Sequence, residues 1–153
     1  MIRSSIASAL IILAAIHPTA ADWEYTRWGM TADQVIAASG GKARAMPPAR
    51  HYRNDTGGYE ISVEGRTQGP PRLSIGFQFD LRGGGLQCVI SNATGDDVEA
   101  LLALMVQRYG APTSDDSFGT TRTMQWTTPD AVELTMNATP KAAVVNHCAP
   151  GRS

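Results

Sequence analysis

Histidine, cysteine and aromatic residues are scarce in this chain: 153 residues carry three histidines, two cysteines and a 7 % share of Phe, Trp and Tyr. Each scarcity removes a class of function. Two of the histidines, His51 and His147, lie nearly a hundred positions apart and show no metal-ligand spacing, and Asp96-Asp97 and Asp115-Asp116 lack the Asp-x-Asp-x-Asp-Gly pattern of a calcium loop. No Gly-x-Ser-x-Gly elbow is present to raise a serine nucleophile. The glycine run Gly83 to Gly85 does not lead from a strand into a helix, as a dinucleotide or phosphate loop must. No cofactor is therefore expected. There is no long run of like charge, so neither nucleic acid nor a polybasic membrane contact is favoured.

No apolar run reaches the roughly 20 residues needed to cross a bilayer. The longest, Ile6 to Ile16, follows a basic opening at Arg3 and ends in His17-Pro18-Thr19-Ala20-Ala21. That is the pattern of a secretory signal over residues 1–21, cut after Ala21. Without a cysteine at the cut no lipid is attached there, so a stable membrane anchor is not expected and the product is periplasmic or secreted. Cleavage removes Arg3 from the thirteen basic residues, leaving twelve against fourteen acidic and a net charge of −2. The remainder, 22–153, is one domain's worth of chain.

Both cysteines, Cys88 and Cys148, belong to that exported part. An even pair in an oxidising compartment reads most simply as a disulfide. It would close a loop of about 60 residues, worth about 4 kcal/mol on the chain-entropy account. A redox-active pair would ordinarily be spaced Cys-x-x-Cys, which this is not.

What is there is a pattern of short helices and strands. Thr31 followed by Gln34 fits a capping box, which predicts a helix from Ala32 to Ala38 that ends at Ser39-Gly40-Gly41. Residues 42–53, with Pro47-Pro48, read as a loop. Tyr59, Ile61 and Val63 alternate with polar residues, as do Leu73, Ile75, Phe77, Phe79 and Leu81, so strands are predicted over 59–64 and 73–81. The glycine turn at 83–85 returns the chain as a hairpin over Leu86 to Ser91, in which Leu86, Cys88 and Ile90 share a face and Cys88 looks into the core.

Thr94-Gly95-Asp96-Asp97 opens a second helix, whose apolar face is Val98, Leu101, Leu102, Met105 and Val106, and Tyr109-Gly110-Ala111-Pro112 stops it. Strands over 121–127, 131–136 and 143–148 follow, with Pro129 and Pro140 in the turns between them. The fold class is α+β: an antiparallel sheet of about six strands, two helices on one face, ordered as two α-β-β-β halves.

Trp28-Gly29-Met30-Thr31 with Val35, Phe77-Gln78-Phe79, Leu86-Gln87-Cys88-Val89, Tyr109-Gly110-Ala111-Pro112 and Trp126 together resemble small secreted bacterial proteins of unassigned function. The capped helix after a Gly-Met-Thr opening, with strands after it, is also similar to the SmpA/OmlA outer-membrane-assembly lipoproteins and to the fold of β-lactamase inhibitor protein. The lipidated cysteine of that lipoprotein pattern is missing here. The resemblance implies a cell-envelope protein and carries no functional residue across.

The site candidates are accordingly few. Trp23, Tyr25 and Trp28 cluster at the start of the exported chain and are the candidate interface, since aromatics anchor protein contacts; the alternative is that they cover the core. His51 reads as a solvated loop residue and His147 as an outward strand residue beside the bridge; a small envelope hydrolase or ligand-binding enzyme would have to be built on one of them. Asn54, Asn92 and Asn137 match the glycosylation sequon, silent in a bacterial export route. The reading that the composition favours is a periplasmic binding or interaction module with a protein partner in the envelope. An inhibitor or regulator of a secreted enzyme is the third option, and the oligomeric state is not legible.

Overall fold

In the computed structural model, which describes residues 23–152, Thr31 Oγ1 accepts the Gln34 N–H at 3.3 Å and Gln34 Oε1 accepts the Thr31 N–H at 2.9 Å. Two otherwise unpaired donors are satisfied reciprocally, and helix α1 runs Ala32–Ala38, burying Val35. The expected export signal, 1–21, lies outside the described residues. Strands β1 (Ala43–Ala45), β2 (Tyr52–Asn54), β3 (Tyr59–Arg66), β4 (Ser74–Asp80) and β5 (Gly85–Thr94) follow. Helix α2 (Asp97–Tyr109) then leads into β6 (Ser114–Phe118), β7 (Thr121–Thr127), β8 (Ala131–Ala138) and β9 (Lys141–Cys148). Gly110 ends α2 with φ 78° and returns its N–H to Val106 O at 2.8 Å.

Among the described residues the sheet has nine strands rather than six, in the order β1-β3-β4-β5-β9-β8-β7-β6, with β2 also paired to β3. All the pairings are antiparallel. The three additional strands, β1, β2 and β6, are short and lie at the margins. Most of their side chains are exposed, so no apolar alternation announces them, and pairing with a neighbouring strand defines them. Residues 42–53 are accordingly not a plain loop: they hold β1, a 3₁₀ turn at Pro48–Arg50 and β2.

Each helix precedes a run of consecutive antiparallel strands, and the two runs meet where β5 pairs with β9. The register places Phe77, Val89, His147, Val132 and Trp126 in one row across five strands. Ile75, Ser91, Val145, Leu134 and Met124 form the next row on the same face. Val35 of α1 and Val98, Leu101 and Met105 of α2 pack into the same core as those rows, so both helices cover one face of the sheet.

Two irregularities decide what the other face carries. In the β4–β5 pairing, Phe79 stands opposite Leu86 while Gln78 stands opposite Cys88, leaving Gln87 as an extra residue. Such a bulge flips the alternation. Leu86 shares the core face with Phe79, whereas Cys88 shares the outer face with Gln78; the plain alternation, blind to the bulge, places Cys88 in the core, and the bulge corrects it. A second shift, between Ile61 and Val63, does the same to β3.

Candidate functional site

The outer face of the sheet is where chemistry-bearing side chains gather. Across the five central strands the rows read Gln78, Cys88, Cys148, Ala131, Thr127 and Gly76, Ile90, Asn146, Glu133, Gln125. Cys88 and Cys148 are directly opposite and disulfide-bonded, with Cα atoms 4.0 Å apart. Above them lies an open-sided groove of about 650 Å³, bordered by Tyr59, Gln78, Gln87, Gln125, Glu133 and Asn146 and floored by the disulfide. That volume is within the range of small-molecule and peptide sites.

Its lining includes four carboxamides, Gln78, Gln87, Gln125 and Asn146, a side chain able both to donate and to accept. Gln125 Nε2 donates to Glu133 Oε2 at 2.9 Å, and at the rim Arg152 donates to Asp80 Oδ2 at 3.0 Å. Both bordering charges are thus already engaged. Gln87, the bulge residue, is only 7 % exposed, and its Oε1 is buried with no hydrogen-bond partner among the described residues. An orphaned buried acceptor costs roughly 1–3 kcal/mol, so the Gln87 side chain bordering the groove has an unmet demand for a donor beneath the surface.

On the opposite, core-facing side of the same strands lies a buried polar knot. His147 is 3 % exposed and Asp130 6 %. His147 Nε2 and Asp130 Oδ2 are 2.9 Å apart, and Asp130 Oδ1 accepts the Trp28 indole N–H at 3.2 Å. The rings of Trp28 and Tyr109 stand edge-on to the imidazole at 5.5 and 6.1 Å. Burial pulls the His147 pKa below its ordinary value; the Asp130 carboxylate opposes this and nearby Arg108 adds to it. His147 is therefore an inward residue, not an outward one. The alternation of Ala143, Val145 and His147 was the signal: a strand with two apolar residues on one face puts the third member there too.

His51 is held rather than solvated. Its Nδ1 is 3.1 Å from Glu60 Oε1 and its Nε2 2.9 Å from Met46 O, with 27 % of the side chain exposed. The two histidines thus have separate partners on separate elements, and no common site unites them. Among the described residues no group of three or more His, Cys, Asp or Glu side chains could hold a metal ion.

Trp23, Tyr25 and Trp28 are half-buried and packed against the core. Trp23 and Tyr25 both reach Phe77, with centroids at 6.1 and 6.2 Å. A small cavity of about 140 Å³ beside them is bordered by Lys42 and Arg66. The Tyr25 hydroxyl pKa is pushed up to about 12 by burial and by the neighbouring Glu24. Gly29 and Met30 pair with the start of β5, Gly29 N–H to Leu86 O at 2.9 Å and Leu86 N–H to Met30 O at 2.7 Å. Gly85 has φ 72°, and a Cβ there would lie 2.2 Å from Gly29 O, so the crossing needs glycine at both counts.

Neither a protein-family model, a curated protein nor a solved structure matches the chain. The geometry alone therefore supports a functional assignment. The side chains that border the groove, Gln78, Gln87, Gln125, Glu133 and Asn146, were not singled out from sequence. They are scattered over five strands, and only the register brings them together.

Proposed function

We propose that the protein is an exported binding module that takes its ligand on the outer face of the sheet, in the groove over the Cys88–Cys148 bridge. The observation that carries this is the partnerless, buried Gln87 Oε1 in a groove of about 650 Å³ bordered by carboxamides. A fold that leaves such an acceptor unsatisfied recovers the cost when a ligand donates to it. A periplasmic or secreted location is supported by the formed disulfide and by the signal pattern of residues 1–21. Among the described residues no helix is long and apolar enough to cross a membrane.

The catalytic alternative has less support. His147 points away from the groove, since its neighbours Asn146 and Cys148 face it, and its bond to Asp130 is buried. A photo-crosslinking residue at Gln125, compared with one at Leu104 on the exposed side of α2, tests the reading in intact cells. A defined adduct is expected from position 125 and not from 104. No adduct from 125, or equal adducts from both, would overturn it.

A further inference from the structure

We infer that the groove's ligand is an extended, uncharged polypeptide segment, read through its backbone. This rests on the groove being the binding site. The lining crosses six neighbouring strands, from Tyr59 on β3 to Gln125 on β7. Five inter-strand spacings of about 4.8 Å make a path of about 24 Å, which an extended chain rising about 3.4 Å per residue covers in about seven residues.

The chemistry along that path matches a peptide backbone. A carboxamide presents one carbonyl and one NH₂, and a peptide group presents one N–H and one C=O, so a carboxamide can pair with a peptide unit in both directions; Gln125, which holds Glu133 with one N–H and accepts from Ser114, offers its second N–H. Gln78, Gln87, Asn146 and Gln125 are spread over β4, β5, β9 and β7 and meet successive parts of the chain rather than a single point. The buried Gln87 Oε1 lacks a donor, which a backbone N–H supplies once the side chain turns toward the groove.

The charges point away from an anionic ligand: Arg152 is already paired with Asp80, and Glu133, which accepts from the neutral Gln125 amide, keeps its negative charge. The aromatic content points away from sugars, which favour flat ring platforms under their C–H faces. Trp126 belongs to the core-facing row and is buried, so the rings at the groove are confined to one end, where Tyr59 borders it with the exposed Tyr52 beside it at 6.0 Å. The outer face also carries Ile61 and Ile90, half-buried, which give alternate peptide side chains an apolar contact.

The test is an array of capped, uncharged heptapeptides probed with the labelled protein, beside an array of neutral oligosaccharides. Binding to peptides is expected, with N-methylation of a central backbone amide in the best binder weakening it at least tenfold. Gln125→Ala and Asn146→Ala should each weaken it about tenfold, the loss of one net hydrogen bond at the upper end of its range, while thermal melts stay within a few degrees of the parent. Peptide binding that ignores N-methylation, oligosaccharide binding without peptide binding, or silence on both arrays would each overturn the inference. If the crosslinker at position 125 still captures a defined adduct in those cases, the binding-module reading stands and only the ligand class falls. If that crosslinker captures nothing, the module reading itself has failed.

Discussion

Asp130 accepts from Trp28 with one carboxylate oxygen and meets His147 with the other, and this makes a single buried carboxylate the junction of three distant stretches of chain. Burial lowers the His147 pKa below its unfolded value despite Asp130. The unfolded state then takes up a proton more readily than the folded one, so stability is full above the ordinary histidine pKa of about 6.5 and is lost as pH falls below it. Urea midpoints measured from pH 8 down to pH 5 should drop through this window. A His147→Gln chain should lie lower at pH 8 and show a flatter profile; an unchanged slope in that variant would show that other groups cause the drop. The inward place of His147 is legible in the alternation of Ala143, Val145 and His147 along β9, against its reading as an outward residue beside the bridge; its partner Asp130, in a turn, carries no such signal. The bulge at Gln87 settles the rest: the bridge is on the outer face and the histidine inside.

At the scale of elements, the parts with an internal signature were legible and the parts defined by a neighbour were not. The capping box of Thr31 and Gln34 gives α1 its bounds from four residues of sequence. The alternation through Ile75, Phe77 and Phe79 does the same for β4. By contrast β6 is Ser114-Asp115-Asp116-Ser117-Phe118, polar almost throughout with Phe118 91 % exposed, and it exists because β7 offers a partner edge. The groove suffers the same fate, since its carboxamides are ordinary strand residues until register sets them side by side. The crossing of the N-terminal segment over β5 was equally hidden. Gly85→Ala should force that crossing apart, combining a left-handed backbone cost of about 1–2 kcal/mol with the clash against Gly29. A fall in melting temperature well beyond that of Gly83→Ala is expected. Gly83 also has positive φ, but a Cβ there meets nothing within 4 Å, so equal falls would show that backbone strain alone is being read.

At the scale of the molecule, the disulfide joins the last strand of one half to the last strand of the other, at the seam where β5 meets β9. The pairing of Cys88 with Cys148 was legible by arithmetic, and its place at the seam was not. Replacing both cysteines by alanine should cost about 4 kcal/mol by the loop-entropy account, measured as a lowered denaturant midpoint with an intact chain as reference. A loss under about 1 kcal/mol would mean that the β5–β9 ladder already holds the halves together without it. The tie between Trp28 and Asp130 has a further meaning, in time rather than energy. Its two ends are 102 residues apart in sequence, and a chain that is synthesised or exported from its N-terminus presents the indole long before its acceptor. The stretch from Trp23 to Met30 can meet Phe77 and Leu86 as soon as β4 and the start of β5 have arrived, but the Trp28 indole must wait for the β7–β8 turn. One segment is thus fastened in two instalments.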